Sequence, residues 1–156
     1  MFLDFSLSCN YRNGFTLIEM IIITAAIILL VILAVPRYHN YQNLNDIEHA
    51  VEDISEINKA VTRYQLENNK LPKSLSVLDI MNMQDPWGKP YQYVIHKDTP
   101  SSKWRIDNNL RPINNDYDLY STGKDGSTTP AIFELDSHDD VVLANNGKWI
   151  GIGKNY

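Results

Sequence analysis

Between Phe15 and Val35 lie 21 residues with a single ionisable side chain, Glu19, and no other stretch restricts the fold of this chain so tightly. At 1.5 Å rise per residue such a run makes about 30 Å of helix, the thickness of a bilayer's hydrocarbon core. It is longer than the ~7–15 apolar residues of a secretory signal peptide, and Ile32-Leu33-Ala34 offers no small-x-small cleavage site. A plain membrane anchor accounts for the length but gives no reason for Glu19. A carboxylate at the centre of a membrane helix costs about 2.5–3.5 kcal/mol, so this acid needs a partner.

The residues leading into the run are Gly14-Phe15-Thr16-Leu17-Ile18-Glu19, preceded by a hydrophilic stretch. This arrangement resembles the class III signal of type IV prepilins and type II secretion pseudopilins. The resemblance implies that a prepilin peptidase cuts after Gly14 and methylates the new amino terminus at Phe15. It also implies that Glu19 is needed for assembly and meets the charged terminus of a neighbouring subunit. Positions i and i+4 share one helix face about 6 Å apart along the axis, so the two charges suit each other in hydrocarbon. The leader departs from the family pattern in being weakly charged, with one cation, Arg12, one acid, Asp4, and Asn13 before the cut. Arg12 favours a cytoplasmic leader.

The 156 residues leave room for one globular domain beyond the apolar helix. A net charge of −5 argues against binding a phosphate backbone, so nucleic acid is not an expected partner. The sole cysteine, Cys9, lies in the leader, so a processed chain has no disulfide to stabilise it. The expected divisions are a leader at 1–14, a transmembrane and assembly helix at 15–35, and a periplasmic domain at 36–156.

Pro36 predicts a kink near the membrane exit. Beyond it, Leu44, Ile47, Val51, Ile54, Ile57, Val61 and Tyr64 recur at spacings of three and four, the stripe of an amphipathic helix that ends near Asn68, Asn69 and Pro72. Leu75, Leu78, Ile80 and Met81 suit a short helix or turn. Strands are predicted at 91–96, Ser102–Ile106 and Tyr117–Ser121, with Trp149–Ile152 as a final strand or a tucked clip. The fold class is therefore α+β: a long amino-terminal helix, half in the membrane and half amphipathic, packed on a small antiparallel sheet with an irregular carboxyl-terminal loop.

Two blocks in the second half, Asp85-Pro86-Trp87-Gly88-Lys89-Pro90-Tyr91 and Asp118-Leu119-Tyr120-Ser121-Thr122-Gly123-Lys124-Asp125-Gly126, are similar to the major pseudopilin of type II secretion, the general secretion pathway protein G family. That resemblance implies a calcium ion in the carboxyl-terminal loop, held by Asp125, Asp139 and Asp140 with a carbonyl near Thr122 and with Ser127. Calcium takes six to eight oxygens, so clustered aspartates and turn carbonyls are suitable donors. The segment from Ser127 to His138 is longer than the family's usual loop. Asp116 and Asp118 are read as turn residues, and Asp118 does not start an EF-hand, since Tyr120 and Thr122 fill its third and fifth positions.

His39, His49, His96 and His138 have no metal-ligand spacing, and most of them are read as surface residues. The aromatic side chains Trp87, Tyr91, Tyr93, Trp104, Tyr117, Tyr120, Phe133 and Trp149 are read as core. Ser121 and His138 lack the strained turn of a nucleophile elbow, and no enzyme is expected.

The resemblance thus implies a structural subunit of the type II secretion pseudopilus. Its partners would be copies of itself in a helical homopolymer, the prepilin peptidase, the inner-membrane assembly platform, minor pseudopilins and the membrane. Two alternatives are a type IV pilus pilin serving adhesion, motility or DNA uptake, and a membrane-tethered binding module that never polymerises.

Overall fold

The computed structural model describes residues 14–78, 80 and 83–156, except for the side chains at positions 36, 39 and 40. The expected leader and Met81 lie outside the described residues. The chain divides into two compact units that part between Tyr41 and Gln42.

Helix α1, Leu17–Asn68, begins in the first unit and ends in the second. In the first unit Leu17–Val35, 19 residues, is long and apolar enough to cross a membrane, and none of it is buried by the protein itself. Helix α1 continues through position 36, and the side chain on which the expected kink rests lies outside the described residues.

In the second unit the stripe predicted for α1 is real but starts later. Leu44 is exposed, whereas Ala50, Ile54, Ile57 and Val61 are fully buried. They pack with Leu119, Val141, Leu143 and Tyr91 on one face of a four-stranded sheet. Burial of each large aliphatic side chain contributes about 1.5–3 kcal/mol.

The sheet consists of β1 (Gln92–Ile95), β2 (Tyr117–Ser121), β3 (Val141–Ala144) and β4 (Trp149–Ile152), in that order and antiparallel throughout. The predicted short helix after Pro72 is a 3₁₀ turn at Leu75–Val77. Successive strand residues face opposite ways. Val141 and Leu143 join the core under α1, while Val142 and Ala144 join a second cluster with Ile113 and Ile132 on the other face. Strand β3 is thus buried on both sides, which explains its unbroken apolar run.

The strand predicted at Ser102–Ile106 does not form. Ser101–Lys103 is a 3₁₀ turn following Pro100, and Ile106 makes only isolated bridges, to Pro112 and Ala131. The reason lies at Arg105, whose backbone N–H donates to the Asp118 carboxylate (2.8 Å) instead of a neighbouring strand. The segment carrying Arg105 to Ile113 lies against the second sheet face: Ile132 donates to the Ile106 carbonyl, and Asn145 to that of Ile113.

Candidate functional site

In the first unit, Thr16 and Glu19 form a reciprocal cap at the start of α1. The Thr16 N–H and hydroxyl both donate to Glu19 Oε2, each at 2.8 Å, and the Glu19 N–H donates back to Thr16 Oγ1 at 3.3 Å. This is a capping box, which satisfies backbone donors that the first helical turn leaves without partners. Its signature, threonine followed three residues later by glutamate, is present in Thr16-Leu17-Ile18-Glu19. The cap holds the acid in the first turn of the helix, four residues along the chain from Phe15. A carboxylate can accept about four hydrogen bonds, so Oε1 keeps capacity for an incoming cation.

In the second unit, the two motif blocks meet. Asp85 organises the first: its Oδ1 accepts from the Trp87 and Lys89 amides at 3.1 and 2.8 Å, and its backbone pairs with Gly88 and Lys89. Gly88 sits at φ +81°, where a side chain would be strained. Asp85 Oδ2 accepts from the Ser121 hydroxyl at 2.5 Å, and Lys89 Nζ donates to the Gly123 and Lys124 carbonyls at 3.0 and 3.1 Å. The first turn therefore latches the second loop.

The five residues expected to hold calcium take part in hydrogen bonds within the carboxyl-terminal half of the chain. The Thr122 carbonyl accepts from Gly126 N–H, and Asp125 Oδ1 accepts from the Ser127 amide at 2.7 Å. Asp139 Oδ2 accepts from the Asp125 amide at 3.0 Å. Asp140 is buried and paired through Oδ2 with the Arg105 guanidinium and the Thr128 hydroxyl. Among the described residues no group of three or more His, Cys, Asp and Glu side chains is placed to hold a metal ion. Ser121 and His138 serve separate bonds, to Asp85 and to the Phe133 carbonyl.

Comparison with known proteins gives this arrangement a family. The model of the type II secretion system (T2SS), protein G, matches residues 37–132, more than half the chain. The chain belongs to the type II secretion system protein G family. It is similar to the type II secretion system core protein G of Aeromonas hydrophila, 27% identical over 88% of this chain and 92% of the relative. The protein of that name from Pseudomonas aeruginosa is 29% identical over 86% and 94%, and that from Escherichia coli K12 28% over 84% and 90%. A fimbrial protein of Pseudomonas aeruginosa is 32% identical over a shorter stretch, 44% of each chain. No solved structure matches. The protein G family match covers both motif blocks and ends at Ile132, before Asp139, Asp140, β3 and β4.

Two polar residues, Asp118 and His96, are buried in this protein G chain. Asp118 is not in a turn: it lies in β2, 1% exposed, and its carboxylate accepts from Arg105 N–H, Asn114 Nδ2 and His96. Its side chain points to the second sheet face because Leu119, the next residue, points to the first. His96 is the exception among the histidines expected mostly at the surface. It is buried between Asp118 (2.8 Å) and the Asn115 carbonyl (3.1 Å), with Trp104 stacked on its ring at 4.3 Å. Trp104 thus packs on His96, while Tyr91, Tyr93, Trp87 and Tyr117 contribute to the core under α1 as expected. Phe133 is exposed. The only sequence signal for Asp118 and His96 was polar residues inside predicted strands, a pattern that elsewhere marks a solvated face.

Proposed function

We propose that this chain is the major structural subunit of a type II secretion pseudopilus and that its mechanism is polymerisation. The observation that carries the reading is the state of α1 in the first unit: an apolar helix with no covering from its own protein, headed by an acid fixed at its first turn. An uncovered, predominantly apolar span of 19 residues needs lipid or other copies of the same helix. Before assembly the helix stands in the inner membrane with the second unit in the periplasm. The prepilin peptidase cuts after Gly14 and methylates Phe15, creating a cation.

In the fibre, lateral packing of Leu17–Val35 replaces lipid contact. The free oxygen of Glu19 then meets the Phe15 terminus of the next subunit. Thr16 presents the carboxylate, and its second oxygen receives the ammonium. The assembly platform and minor pseudopilins supply force and initiation, and no bond is made or broken after processing. The family assignment supports a structural subunit and not an enzyme.

The capping box allows a sharp test. Glu19→Gln keeps an oxygen for the Thr16 amide but removes the charge, whereas Glu19→Ala removes both. Charge pairing predicts that both variants reduce fibre yield in a secreting host at least about 100-fold while remaining in the membrane fraction, a loss of about 2.7 kcal/mol or more. Assembly by Glu19→Gln at the native level would reject charge pairing. Mass spectrometry of the native amino terminus should find methylated Phe15, and a chain still carrying residues 1–14 would reject the reading altogether.

A further inference from the structure

Arg105 is 1% exposed, an unusual position for a side chain that never loses its charge. Its surroundings are a set of oxygens. Nη1 donates to Thr128 Oγ1 at 2.6 Å and to the Thr129 carbonyl at 2.5 Å, and Nη2 donates to Asp140 Oδ2. The guanidinium also lies 4.4 Å from the centre of the Tyr120 ring. One carboxylate, one hydroxyl and one main-chain carbonyl make the kind of mixed set that a hard cation takes. Here an organic cation on the chain fills it. Arg105 Nε and Asp140 Oδ1 are both buried without a partner, and they are the complementary halves of the second bond in a side-on fork.

The two adjacent aspartates act on different parts of the same loop. Asp139 holds its beginning: it receives the Asp125 amide, and Gly123, at φ +62°, approaches so closely that a Cβ there would fall 2.5 Å from the Asp139 carbonyl oxygen. Asp140, through Arg105, holds positions 128 and 129. A divalent ion placed on Asp140 would stand beside a fixed positive charge and compete with it for the same oxygens.

We infer that Arg105 is a built-in cation that closes the 122–140 loop, so that this domain needs no divalent metal to hold its carboxyl-terminal half together. The inference concerns the second unit alone and does not depend on polymerisation. Removal of Arg105 leaves Asp140 as a buried, uncompensated charge, the costly way to break such a pair.

The test is thermal melting of the full-length chain in detergent micelles, with 5 mM EDTA or with 1 mM calcium chloride, alongside calorimetric titration with calcium. The unmodified chain should melt within about 1 °C in both conditions and take up no calcium stoichiometrically. Arg105→Met should lower Tm by about 10 °C or more, and adding Asp140→Asn should restore part of the loss. If Arg105→Met yields no folded protein, Asp140→Asn alone decides, with a fall of about 5 °C expected. A chelator-sensitive melt or stoichiometric calcium uptake by the unmodified chain would overturn the inference. So would an Arg105→Met or Asp140→Asn variant that melts like the parent.

Discussion

One helix serves two regions of this molecule, and its side chains meet opposite fates there. Leu17, Leu30 and Ile32 are 78%, 66% and 62% exposed, whereas Ile54, Ile57 and Val61 are at 0%. The residue types are nearly the same, so hydrophobicity alone does not distinguish the regions; the pattern does. Around Ile57 apolar residues occupy one stripe, and a sheet of the same chain covers it. Around Leu30 they occupy every face, which no single packed surface within a small domain could cover. The second unit contains its own solvent-excluding partner, whereas none of Leu17–Val35 is buried among the described residues.

The strongest way to break this contrast is to exchange the consequences of the same substitution. Ile57→Ala should destabilise the second unit by about 2–5 kcal/mol, because a buried cavity adds to the lost transfer energy. Ile28→Ala, at a position 59% exposed, should leave the melt of that unit within about 0.5 kcal/mol of the parent. Urea unfolding of the two variants in micelles, followed by near-ultraviolet circular dichroism, measures both. Equal losses would mean that Leu17–Val35 is packed by its own chain after all.

The contrast was legible in the sequence because it rests on period and length. Leu17–Val35 is apolar on every face apart from Glu19 and Thr24, and Ile47 to Tyr64 recur at helical spacing, so the sequence places both parts of α1. Strands β1 and β2 were found for similar reasons, at alternating residues next to turn chemistry. Strand β3 was missed because Val141–Ala144 is short, unbroken and apolar, a run that shows no alternation when both faces are buried. In the candidate site, Glu19 was legible through its isolation in an apolar run, but its bond to Thr16 was not drawn from the spacing. Arg105 could not be found at all from local pattern. Its partners, Thr128, Thr129 and Asp140, are distant in sequence, and only the fold brings them together. Buried charge pairs of this kind are invisible to periodicity because each residue alone reads as surface.

A smaller effect sharpens the contrast from the side of pH. Burial raises the hydroxyl groups of Tyr91, Tyr93, Tyr117 and Tyr120 above the ordinary tyrosine value, with Tyr117 pushed up to about 12, and all four lie in the second unit. The folded form therefore keeps these protons longer than the unfolded chain. Its stability is complete below about pH 10 and falls as pH rises from there toward 12, where the unfolded chain ionises first. For Tyr117 alone the loss should be about 1–2 kcal/mol, reduced from the full shift because the ring is partly exposed. Urea unfolding at pH 9, 10 and 11 should show the decline, and Tyr117→Phe should flatten it. A stability that is level over this range would mean that these rings are solvated and that the face under α1 is not sealed.

The smallest expected effect probes the capping box at the start of α1. Thr16→Ala removes the side-chain half of the capping box but leaves the Thr16-position amide able to reach Glu19, so the loss should be about 0.5–1 kcal/mol. That is too little to detach a membrane helix, and too little to alter the melt of the second unit. It should appear locally, as amide hydrogen exchange roughly two- to five-fold faster at Glu19, whose N–H loses the Thr16 hydroxyl. Exchange in β2 and β3 should not change. Protection at Glu19 equal to the parent would show that the lipid or micelle environment, and not the threonine, holds the first turn. The acid would then enter assembly without being presented by its own helix.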